Sequence, residues 1–113
     1  MTLIQILQII SALATVLIGL VAFFRADTIQ GFTGLTFPAA RGKVEMRSIF
    51  GGAFIALGAV PFFLGAPGFQ ALGIVYLGIG IARAIGTLVD RSMENSNLIS
   101  LASEFVFGII LLL

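Results

Sequence analysis

Two ionisable residues stand inside otherwise apolar stretches of this sequence: Arg83 follows a run from 48 to 82 without a charge, and Glu104 is the one charge between 95 and 113. A charged side chain in hydrocarbon costs about 2.5–3.5 kcal/mol on insertion scales, so each needs a partner. Arg83 lies seven residues before Asp90, and Glu104 lies seven residues after Asn97. At 1.5 Å per helical residue both sit about 10 Å deep, and on sequential antiparallel helices they meet at one level. Such a pair is either a neutralised structural clasp or a site for binding or proton movement. Arg47 opens another apolar run, where it is a snorkelling interfacial anchor or the third member of an Arg47, Glu104 and Arg83 cluster. A cluster of that kind keeps one net positive charge and suits an anionic headgroup or substrate.

Further residues repeat at helical spacing around these charges. Tyr76, Gly80, Arg83, Thr87 and Asp90 form one stripe, and Asn97, Ser100, Glu104 and Phe107 form another. Tyr76, the one tyrosine, reads as a packing or interfacial residue, with hydrogen bonding to a quinone-like ligand as the sharper alternative. Small residues add rows of their own: Gly51 and Gly52 with Gly58 and Ala56, and Gly78, Ala82 and Gly86 beside Gly80. Rows of this kind are expected at helix contacts within the chain, with dimerisation as the alternative.

Only lipid suits elements of this composition. A soluble domain is about a quarter charged, whereas here 10% of 113 residues are charged and 59% are hydrophobic, with a mean hydropathy of +1.18. A chain this small lacks the polar groups to coat itself in water. About 20 residues cross the hydrocarbon core as a helix, and the sequence predicts spans at 2–24, 47–64, 69–89 and 97–113. The expected fold is all-α, one antiparallel bundle of four transmembrane helices in a single domain. Residues 1–24 lack the basic start of a signal peptide and are too long an apolar run for one, so they read as a retained first span.

Gly65-Ala66-Pro67-Gly68 is predicted to form a tight turn that makes spans 2 and 3 antiparallel neighbours. The 25–46 stretch is predicted to lie on the membrane surface, with Thr36 capping and Pro38 opening a helix that runs through Ala39 into span 2. Arg25, Arg41, Lys43, Arg47 and Arg91 crowd one face, which predicts that loops 25–46 and 90–96 are cytoplasmic and that both termini lie outside.

The composition also narrows function. With neither His nor Cys, the chain lacks the commonest metal, haem and general-base ligand, as well as thiolate chemistry. No metal or cofactor is expected, and no enzyme, since Glu104, Tyr76 and Asp90 pair with no nucleophile. A net charge of +1 without a basic stripe predicts no nucleic-acid partner. Expected partners are membrane lipid and either other membrane subunits or further copies of this chain. The leading expectation is an accessory subunit of a larger membrane complex; the alternative is a homodimeric small transporter or an anion- or lipid-binding protein.

Arg47-Ser48-Ile49-Phe50-Gly51-Gly52-Ala53-Phe54 with Gly58, Ala82-Arg83-Ala84-Ile85-Gly86 with Asp90, and Glu104 together make a pattern over almost the full chain. It resembles a bacterial family of four-helix membrane proteins catalogued as domain of unknown function 4345, and it is similar to the DoxX-like small bundles. Arg91-Ser92 follows Asp90 where that pattern has a glycine. The resemblance implies a fold and an inner-membrane address, and no reaction or ligand.

Overall fold

The computed structural model describes all 113 residues, and every regular element in it is helical. Helix α1 is Leu3–Phe24, α2 is Ala26–Thr33, α3 runs Ala40–Leu64, α4 is Ala66–Asp90 and α5 is Asn95–Leu112. α1, α3, α4 and α5 are long and apolar enough to cross a membrane, at 22, 25, 25 and 18 residues. The chain is a multi-pass membrane protein. Phe63, Leu88, Val89 and many other large apolar side chains face outward, an arrangement that lipid stabilises and water would not.

Local chemistry explains most boundaries. Thr2 and Gln5 form a capping box at the start of α1, with Gln5 N–H donating to Thr2 Oγ1 at 3.2 Å and Thr2 N–H to Gln5 Oε1 at 2.9 Å. Gly34, at φ 77°, ends α2 in the left-handed region. Thr36 does not cap α3: the helix begins at Ala40 behind an extended Ala39 that makes no side-chain cap bond. Pro38 sits in the bend just before it, kept out of the first helical turn by the extended Ala39 at φ −147° and ψ 163°.

The turn between the second and third spans is tighter than the sequence predicts. Gly65 alone, at φ 67°, lies outside the helices. Pro67 is absorbed into the first turn of α4, where a missing N–H costs nothing. Gly68 then lies against the backbone of Pro61, and a Cβ there would come within 2.7 Å of Pro61 Cα.

The helices form a ring in which α1 packs on α3, α3 on α4, α4 on α5, and α5 back on α1. One buried cluster, Ala12, Leu72, Tyr76 and Leu111, joins α1, α4 and α5. A second one, Ala22, Ala26 and Met46, seats α2 against the ends of α1 and α3, with Ile29 and Phe37 covering it. Loop 25–46 is therefore a packed arm, further tied by Lys43 Nζ donating to Asp27 Oδ2 at 2.8 Å. Both chain ends lie on one face of the ring, as Gln8 Nε2 donating to the Ile110 carbonyl at 3.0 Å requires.

Candidate functional site

α4 and α5 carry a charged clasp. Arg83 Nε donates to Glu104 Oε1 and Arg83 Nη2 to Glu104 Oε2, both at 2.7 Å, the two-pronged geometry in which guanidinium and carboxylate match best. Arg83 Nη1 also donates to Asn97 Oδ1 at 3.1 Å. Asn97 Nδ2 in turn donates to Thr87 Oγ1 at 2.8 Å and to the Ser92 carbonyl at 2.9 Å. The Glu104 side chain is 10% exposed and the Arg83 side chain 32%. The network spans the turn between the helices and holds their ends in register.

That turn contains the one left-handed residue that is not glycine, Arg91 at φ 54°. The N–H of Ser92 reaches back to the Thr87 carbonyl at 3.2 Å, the long bond of a Schellman helix ending. Glycine normally fills such a position. Just beyond, the Ser92 hydroxyl donates to the Glu94 carboxylate and, with the Glu94 backbone, holds its pKa below the usual carboxylate value.

Tyr76 lies one face-repeat further from the loops. Its hydroxyl is hydrogen-bonded to Thr15 of α1, and Thr15 Oγ1 is also bonded to the Ser11 carbonyl at 2.8 Å. The tyrosine ring meets Phe107 edge-on at 5.5 Å. Tyr76 is thus a buried strut across the ring rather than an interfacial residue.

The remaining candidate residues divide clearly. Arg47 does not join the α4–α5 charges: it donates to the Phe23 carbonyl at the end of α1 and lies over the Phe23 ring, 5.8 Å from its centroid. It caps a carbonyl that the helix end leaves without a donor. Asp90 is exposed and makes none of the side-chain bonds of the clasp. Asn97 and Thr15, which carry much of the bonding, belong to polar helix faces visible in the sequence, but their uncharged chemistry gives them no signal stronger than that of neighbouring Ser and Gln residues.

Among the glycines, Gly51, Gly58 and Gly80 are contact points. A Cβ at Gly51 would lie 3.0 Å from Phe23 Cβ, one at Gly58 2.7 Å from the Ala12 carbonyl oxygen, and one at Gly80 3.3 Å from the Phe105 ring. Gly52, Gly78 and Gly86 make no close contact with another helix of this chain. Gly52 has only its own helix's Arg47 carbonyl, at 4.0 Å, and Gly78 and Gly86 face open space. The reason is rotational: each helical residue turns by about 100°, so Gly78 points away from the face that Gly80 shares with Tyr76. Gly19, Gly68, Gly73 and Gly108 make the other close approaches.

Set beside family models, curated proteins and solved structures, the chain matches none of them. Its site is therefore read from its own geometry.

Proposed function

We propose that this chain is a small non-enzymatic subunit of a larger membrane complex, resident in a bacterial inner membrane with the loop face cytoplasmic and the termini outside. The observation that supports this reading most is that the intramembrane charges are spent on each other. Both oxygens of Glu104 and three nitrogens of Arg83 are bonded within the α4–α5 hairpin, which favours a clasp that stiffens a scaffold over a site that turns over a ligand. The basic residues Arg25, Arg41, Lys43, Arg47 and Arg91 support the orientation. The resemblance to the domain-of-unknown-function 4345 and DoxX-like bundles belongs to the same reading.

Purification of the native protein in a mild detergent tests it. A larger membrane protein is expected to co-purify in fixed stoichiometry, and a lone small particle overturns the reading. A second reading, a homodimeric transporter or anion-binding protein, is favoured by the partial exposure of the Arg83 side chain. It requires that Arg83→Ala and Glu104→Ala abolish substrate flux in proteoliposomes while the protein still folds; unchanged flux in both ends it.

A further inference from the structure

The face that carries the chain ends holds a cleft of about 290 Å³ between the first turns of α1, the first turns of α4 and the end of α5. Its walls combine Thr2, Gln5, Gln8 and Gln70 with apolar Phe69 and Leu112. This volume is at the lower edge of the range for ligand pockets, about 300–1,000 Å³, and suits a headgroup rather than a whole lipid. No Asp, Glu, Lys or Arg side chain lines it, and its polar side chains are three neutral carboxamides and one hydroxyl.

The hydrogen bonds already made fix what the cleft offers. Gln5 Oε1 accepts from the Thr2 backbone N–H, which leaves the Gln5 amide as an uncommitted donor. Gln8 Nε2 donates to the Ile110 carbonyl, which leaves Gln8 Oε1 as an uncommitted acceptor. Backbone N–H groups only donate and carbonyls only accept, so neither carboxamide can be turned round without losing its bond. Residues three apart share a helix face, about 5–6 Å between Cβ atoms. The cleft thus carries one free donor and one free acceptor on carboxamides about one helical turn apart, beside apolar Phe69 and Leu112.

We propose that this cleft binds the hydroxyl group of an uncharged lipid in the leaflet on the termini side, with the first methylenes of its chains lying against Phe69 and Leu112. A hydroxyl donates to Gln8 Oε1 while accepting from the Gln5 amide. A carbonyl or carboxylate can only accept and leaves Gln8 unanswered, whereas an ammonium can only donate and leaves Gln5 unanswered.

The test is photolabelling of the full chain in phosphatidylcholine nanodiscs with dioleoylglycerol carrying a diazirine, beside the same lipid with its hydroxyl acetylated. The hydroxyl form is expected to label peptides around Gln5, Gln8 and Gln70 about five-fold more strongly, the difference in affinity that one neutral hydrogen bond makes. Gln5→Glu keeps the acceptor that the Thr2 N–H needs and removes the donor, so labelling by the hydroxyl form should fall by a similar factor. Equal labelling by the two lipids, labelling spread evenly over the lipid-facing helices, or undiminished labelling of Gln5→Glu overturns the proposal. Displacement of the label by free glycerol overturns the lipid assignment in favour of a soluble polyol.

Discussion

The two hairpins of the bundle solve one problem differently. α1 and α3 approach backbone to backbone: Gly19 faces the Ile55 amide and the Gly51 carbonyl, and Gly58 faces the Ala12 carbonyl. Where α1 ends, Arg47 needs only a carbonyl as its partner. α4 and α5 approach closely at Gly73 and Gly108, but nearer the loop they are held by Arg83 and Glu104, both inside the apolar span. Arg47 lies level with the last turn of α1, where an open helix end supplies a carbonyl, while Arg83 lies against the uninterrupted helix α5 and meets a countercharge there. What each arginine packs against, rather than its residue type, sets its role.

Removing the countercharge is the strongest way to break this contrast. Glu104→Ala leaves Arg83 without its carboxylate in a low-dielectric span, and a loss of about 3 kcal/mol is expected in SDS-titration unfolding, the lower end for a broken buried pair because the arginine side chain is partly exposed. Arg83→Ala combined with Glu104→Ala should be less damaging than the two single losses added together. Strict additivity would mean that the pair does not act as a unit.

Gly58→Ala sharpens the other half of the comparison, since the new Cβ meets backbone that cannot swing aside. A loss of roughly 2 kcal/mol is expected from overpacking, against stability held or raised for Gly78→Ala, which faces open space. Equal losses at both positions would break the claim that backbone contact holds α1 to α3. Arg47→Met retains the stem but not the donor, and a loss of about 1.5 kcal/mol is expected from an orphaned helix carbonyl facing a formerly charged donor. A loss as large as that of Glu104→Ala would erase the distinction between the two arginines. The smallest effect, and a gain, is expected at the α4–α5 turn: Arg91→Gly relieves a left-handed residue and should add about 1 kcal/mol. No gain would mean that the Arg91 side chain supports the turn in a way its backbone does not reveal.

The Arg83–Glu104 pairing was legible as one of two arrangements, because charges in apolar runs are costly and equal depth on sequential helices lets the two meet, while a lipid headgroup offered Arg83 another partner. The role of Arg47 was less legible, since its partner is a main-chain carbonyl and every residue has one. Glycine rows were ambiguous for a related reason: Gly78, Ala82 and Gly86 repeat as regularly as any packing row, yet regular spacing only says that residues share a face, not whether that face turns toward a helix of the same chain. The pocketed carboxamides of Gln5 and Gln8 carried no special signal, because their meaning depends on which half of each amide is already bonded.

Composition and the lengths of uncharged runs are enough to require four helices in a bilayer, because the cost of exposing polar backbone to lipid admits little else for such a chain. The rotation of each helix about its own axis, the hand-off of Arg47 to the end of α1, and the one-residue turn at Gly65 were decided only when the helices packed. Those outcomes depend on shape fit between surfaces distant in sequence, and neither hydropathy nor periodicity encodes the partner against which a face will come to rest.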